Sequence, residues 1–94
     1  MKVFWTNKAI LQLKAIHNYH AQISPEYATR LVDLITRRSE QIVSFPSSGR
    51  MLPELNLEQI REIIEANYRI IYYVGIDTID ILAVVHGQQK LSSY

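Results

Sequence analysis

Apolar residues at Ala9, Leu13, Ile16, Tyr19 and Ile23, with Ile10 and Leu11 beside them, recur at spacings of three and four. That period predicts an amphipathic helix. Val3-Phe4-Trp5 precedes it as a β-prone triplet short enough for an edge strand, and Thr6 offers a side-chain oxygen suited to capping the helix. Ser24-Pro25-Glu26 joins a cap, a proline for the first helical position and an acid for the first turn, so the first helix stops near Gln22 and a second begins. Its stripe of Ala28, Leu31, Ile35 and Ile42, flanked by Val32 and Leu34, predicts a helix to Phe45, where Pro46 disfavours helical dihedrals in the residue before it. Two helices with so short a join form an antiparallel hairpin.

Pro46 to Glu58 is rich in Pro, Ser, Gly and Asn and predicts one long irregular connection. Beyond it the period falls to two. Arg61 to Glu65 and Tyr68 to Val74, separated by Ala66-Asn67, predict a hairpin, and Gly75 to Thr78 a second turn. In the last strand Ile79, Ile81, Ala83 and Val85 alternate with Asp80, Leu82, Val84 and His86, apolar on both faces beyond its start, which places this strand inside the sheet. The tail from Gly87 to Tyr94 is polar without period. The order β-α-α-β-β-β predicts an α+β fold: an N-terminal edge strand and a two-helix antiparallel hairpin packed on a mainly antiparallel four-stranded sheet.

Composition narrows the class. The 94 residues, 48% hydrophobic and 20% charged, suit a single domain spanning 1–94 with one compact core, and exclude a disordered chain. No apolar run reaches the length of a membrane span, and Met1 to Lys8 lacks the uninterrupted hydrophobic core of a signal peptide, so the expected location is cytoplasmic. With no cysteine, disulfides, thiol catalysis and thiolate zinc sites are excluded. The net charge of +1 hides an asymmetry: Met1 to Phe45 holds six basic residues and three acids, whereas Pro46 to Tyr94 holds four basic residues and six acids.

The ordered set Phe45-Pro46-Ser47-Ser48-Gly49-Arg50, Pro53-Glu54, Ile60-Arg61-Glu62, Asn67-Tyr68-Arg69-Ile70-Ile71-Tyr72 and Val85-His86-Gly87, following the helix hairpin, resembles the RelE/ParE superfamily of toxins from type II toxin-antitoxin modules. The resemblance covers nearly the whole chain. It implies a microbial-RNase-like α+β fold, growth arrest, a cognate antitoxin as partner, a possible homodimer or toxin-antitoxin hetero-oligomer, and no cofactor. It also implies one of two targets: DNA gyrase in the ParE-like branch, which this reading favours, or ribosome-bound mRNA in the RelE-like branch. Gln88-Gln89 stand where the family tends to carry arginines after His-Gly.

An endoribonuclease needs cations for phosphate plus a general acid and base. Arg61 and Arg69 are candidate phosphate ligands, Arg50 could join them, Glu54 is the candidate base and His86 the candidate acid. The same residues admit a structural reading, with Arg61 and Arg69 pairing with Glu62 or Glu65, Glu54 solvated and His86 ending a strand. Electrostatics favours the second, because polyanion affinity draws on basic residues and the half holding these groups nets −2 from four basic residues and six acids. Whether the protein is an enzyme therefore stays open, leaning against. Arg50, Arg37, Arg38 and Tyr73 are candidate partner-binding residues: a basic pair on an exposed helix suits an acidic partner, and an apolar sheet face or edge suits a docking segment. His17 and His20 lie three apart, without the third ligand a metal would need.

Overall fold

Thr6 shows how the first elements are joined. In the structure, a computed structural model that describes residues 1–88, strand β1 (Lys2–Trp5) runs directly into helix α1 (Asn7–Ala21). The Thr6 hydroxyl accepts from the Ala9 amide at 3.2 Å and donates to the Ile81 carbonyl at 2.9 Å, capping the helix while tying its start to the sheet. Ser24 repeats the cap for α2 (Pro25–Gln41), accepting from the Tyr27 amide, with Pro25 opening the helix. The second helix ends four residues before the expected Phe45. Ile42 to Phe45 continue as tight turns whose amides bond three residues back, so the apolar periodicity outlasts the helix.

Three longer strands follow: β3 (Ile60–Glu65), β4 (Tyr68–Val74) and β5 (Thr78–His86). The sheet has five strands, not four, in the order β1-β5-β4-β3-β2. The extra one, β2 (Arg50–Met51), is a two-residue strand paired antiparallel with Arg61 and Glu62, too short to carry a period of its own. β1 returns beside β5 as the one parallel pair, after the two-helix crossover that parallel strands require.

A bulge divides the sheet's two faces. Ile71 pairs with Ala83 and Tyr72 with Ile81, leaving Leu82 as an extra residue on β5. Ile79, Ile81 and Val84 consequently face the helices, while Ala83 and Val85 face away. Simple alternation puts Ile79, Ile81, Ala83 and Val85 on one side; the bulge switches the phase midway. The helix-side core joins these residues to Ala9, Ile16, Leu31, Ile35, Ile42, Ile63, Ile70 and Tyr72. Gln12 of α1 accepts from the Val84 amide at 2.8 Å, beyond the end of β1, so this backbone donor is satisfied.

On the opposite face the 46–59 connection folds back, and Leu52 is fully buried against Ile71, Ala83 and Val85. Tyr72 fixes the start of this connection from the helix side. Its hydroxyl donates to the Pro46 carbonyl at 2.8 Å and accepts from the Gly49 amide at 3.1 Å. Gly49 permits that approach, because a Cβ there would lie 2.4 Å from the Tyr72 hydroxyl and 2.7 Å from the Glu62 carbonyl.

Tyr72→Phe keeps the buried ring but leaves the Pro46 and Gly49 groups without this partner, so unfolding in urea should show a loss of about 1 to 3 kcal/mol. Burial holds the Tyr72 phenol above its ordinary value, against a smaller opposing effect of the Gly49 amide and of Arg61 and Arg38. The unfolded chain therefore releases that proton first. Stability from this group is fully present below pH about 10 and is lost as pH rises through the folded value, so the alkaline decline should be shallower in Tyr72→Phe. An unchanged midpoint and an unchanged alkaline slope would contradict this role.

Candidate functional site

Glu62 lies on β3 facing away from the helices, between Arg50 of β2 and Ile71 of β4. It is 1% exposed. An ionised carboxylate there is costly unless charged donors replace water, and two do. Arg50 Nε donates to Glu62 Oε2, and Arg69 Nε donates to Glu62 Oε1 at 2.6 Å. The far side of the Arg69 guanidinium meets Glu54 as a fork, Nη1 to Oε2 at 2.9 Å and Nη2 to Oε1 at 2.8 Å. Hydrogen bonding to Glu54, then to Glu62, outweighs desolvation and raises the Arg69 pKa further above its ordinary value. The result is an alternating series Arg50–Glu62–Arg69–Glu54 with no net charge, joining the long connection, β3 and β4.

The four candidate catalytic residues do not meet at one point. Arg69 and Glu54 are bound to each other. Arg61 shares the helix-side face of β3 with Ile63, and its Nη1 donates to the Gly49 carbonyl at 2.8 Å beside a groove of about 240 Å³ lined by Ser47, Glu58, Gln59, Arg61 and Val74. His86 pairs with Tyr68 at the other end of β4, four residues from the Tyr72 that faces Arg61, a separation of roughly 13 Å along the strand. The His86 ring is exposed, edge-on to Tyr68, and its Nδ1 accepts from the Gln88 amide at 3.4 Å. A base free to accept a 2′-hydroxyl proton beside an unpaired cation is not assembled among these four.

The candidate partner-binding residues fall on two surfaces. Arg37 and Arg38 belong to α2, where Arg37 pairs with Asp33 at 3.0 Å and Arg38 reaches Glu65 of β3 at 3.8 Å. The first pair is exposed and contributes little to stability. Beside it Tyr27, Arg30, Leu31, Leu34, Arg37 and Ala66 border a groove of about 370 Å³. Arg50 and Tyr73 lie on the opposite surface, and the Arg50 side chain, 66% exposed, is the most open member of the charge series. Gln88 lies in an exposed turn after β5, whereas Gln89 lies outside the described residues.

An aromatic chain at the end of the helix hairpin joins residues too far apart for spacing to reveal. His20 Nε2 and the Tyr68 hydroxyl are 2.8 Å apart, and edge-on contacts run from Tyr19 and Tyr27 through His20 to Tyr68 and His86. Burial, followed by the nearby Tyr27 and Tyr19, raises the Tyr68 phenol above its ordinary value. The His20 ring is thus engaged with a tyrosine, and among the described residues no group of three metal-ligating side chains occurs.

Removing the charge at the centre of the series should cost more than removing it at the rim. Glu62→Gln leaves two guanidiniums without their shared carboxylate and is expected to lose about 3 to 5 kcal/mol of unfolding free energy. Glu54→Gln, at the partly open end, should lose about 1 to 2 kcal/mol. The reverse order in urea denaturation would show that Glu62 does not organise the site.

The model for "ParE toxin of type II toxin-antitoxin system, parDE" matches residues 3–91. The chain is 30% identical over 87 residues to toxin RelE2 of Caulobacter vibrioides, covering 92% of this chain and 94% of that protein. It is also 30% identical over 91 residues to the putative toxin Y4kP of Sinorhizobium fredii, covering 95% and 91%. A solved structure of the chromosomal ParDE toxin-antitoxin system from P. aeruginosa shares the fold, with a TM-score of 0.75, 24% identity, and coverage of 92% of this chain and 95% of that one. The match along nearly the whole chain, on an α+β fold with a helix hairpin over a mixed sheet, places this protein in the ParE toxin family of type II toxin-antitoxin systems, within the RelE/ParE superfamily.

Proposed function

We propose that this toxin acts by binding DNA gyrase rather than by cutting nucleic acid, and that a cognate antitoxin encoded beside it neutralises it in the cytoplasm. The observation that carries this reading is the occupation of Arg69 by two carboxylates. A guanidinium that is 6% exposed, with Nε on Glu62 and both Nη nitrogens forked onto Glu54, has each of its two-donor edges engaged and could meet a scissile phosphate in a fork only by breaking internal bonds. With Arg61 turned to the Gly49 carbonyl and His86 at the far end of β4, the chemistry of an RNase site is dispersed. Binding another macromolecule needs no such convergence. No described helix is long and apolar enough to cross a membrane.

The name of the relative RelE2 favours a second reading, endonucleolytic cleavage of mRNA on the ribosome. A third is a non-toxic module that retains only antitoxin binding. The three separate cleanly in experiment. Purified toxin is expected to block gyrase supercoiling, while Arg61→Ala and His86→Ala still arrest growth. Supercoiling left untouched, with mRNA cut on ribosomes and toxicity abolished in both variants, would overturn the gyrase reading in favour of catalysis. Normal growth on expression of the toxin alone, with tight antitoxin binding, would point to the third.

A further inference from the structure

A second feature of the sheet's outer face is independent of the charge series. Phe4 of β1 pairs with Asp80 of β5, Asp80 pairs with Tyr73 of β4, and Tyr73 pairs with Ile60 of β3. All four side chains point away from the helices, because their neighbours Val3, Trp5, Tyr72, Ile79 and Ile81 pack into the helix-side core. Two aromatic residues thus flank a carboxylate in one row across the sheet. Phe4 is 58% exposed and Tyr73 is 40% exposed, so both rings stand open on the outer face.

Asp80 carries its charge without a cationic partner in the described structure. Its Oδ1 accepts from the Thr78 hydroxyl at 3.0 Å, and Lys2, one step along β1 on the same face, forms no ion pair with it. The rings of Phe4 and Tyr73 stand on the strands either side of Asp80, roughly 9 to 10 Å apart at the backbone. That spacing leaves room for one planar group above the Asp80 carboxylate, with an aromatic residue on either side. Ring faces attract cations, and a carboxylate at the floor repels phosphate, so the row selects a cation over a nucleotide. Among side chains, the guanidinium is planar, stacks on aromatic faces and forks onto a carboxylate.

We propose that Phe4, Asp80 and Tyr73 form a receptor for an arginine side chain of a separate partner protein. The receptor does not depend on whether gyrase or another macromolecule is the target. It places one anchoring contact on the outer face of the sheet, on the side away from the helices.

The test is an NMR titration of the isotope-labelled full chain with Nα-acetyl-arginine amide, with Nα-acetyl-glutamine amide as the uncharged control. The arginine probe should give saturable shifts of the Phe4 and Tyr73 rings and the Asp80 amide, while the glutamine probe leaves them in place. Asp80→Asn should weaken binding about five-fold and Phe4→Ala about three-fold, with the Trp5 and Tyr72 resonances on the opposite face confirming an intact fold. Absence of saturable shifts at these residues, equal response to both probes, or undiminished binding in Asp80→Asn would overturn the proposal. Shifts at the row produced by raising protein concentration alone would place a second copy there and equally overturn it.

Discussion

A carboxylate cannot be sealed inside a small domain unless its charge is matched where it sits, and Glu62 is sealed, with its side chain fully covered. The requirement reaches well beyond the residue itself. Arg50 has to arrive from the long connection, which holds β2 against β3; Arg69 has to present its Nε from β4; and Glu54 has to close the other side of Arg69. Leu52 is carried into its pocket against Ile71, Ala83 and Val85 on the same segment. Tyr72 holds that segment's start from the other face through Pro46 and Gly49. The connection is irregular in backbone, yet charge pairing, one apolar anchor and one phenol fix it at several points.

This arrangement also decides what the face can do. In a nuclease, guanidiniums meet phosphate and a carboxylate or imidazole moves a proton. Here two guanidiniums, Arg50 and Arg69, and two carboxylates, Glu62 and Glu54, neutralise one another, leaving little positive field to draw a polyanion. Open surfaces of another kind include a groove beside α2 bordered by Arg30, Asp33 and Arg37, and an outer sheet row with exposed aromatic rings. ParE-family toxins pair with cognate antitoxins, and a ParDE system is the source of a structure with this fold.

Much of the fold was legible because local chemistry and global packing agree. Thr6 and Ser24-Pro25 mark the helix starts by supplying the acceptors and the fixed dihedral that a first turn needs, and the caps stand where expected. The motif series from Phe45 to Gly87 identified the superfamily. The remainder depended on register, which spacing alone does not specify. The bulge at Leu82 leaves a strand equally apolar before and after it, so alternation could not show that Ala83 and Val85 change sides. Two residues of β2 are too few for a period. Glu62 read as one of several pairing partners, and its central position follows from β2 bringing Arg50, and β4 bringing Arg69 and Ile71, to either side of it. The row of Phe4, Asp80 and Tyr73 is scattered through nearly the whole chain and exists only once β1 lies along β5.

The most direct test of the account is NMR observation of the arginine Nε–H groups. Arg69, bonded through Nε to a buried carboxylate, should give a resolved Nε–H signal that exchanges slowly with water and stays in place when inorganic phosphate or a short oligoribonucleotide is added. A signal exchanging as fast as that of a free arginine, or moving saturably with either ligand, would show that the guanidinium is available to phosphate and would contradict the claim that Arg69 is held internally by Glu62 and Glu54.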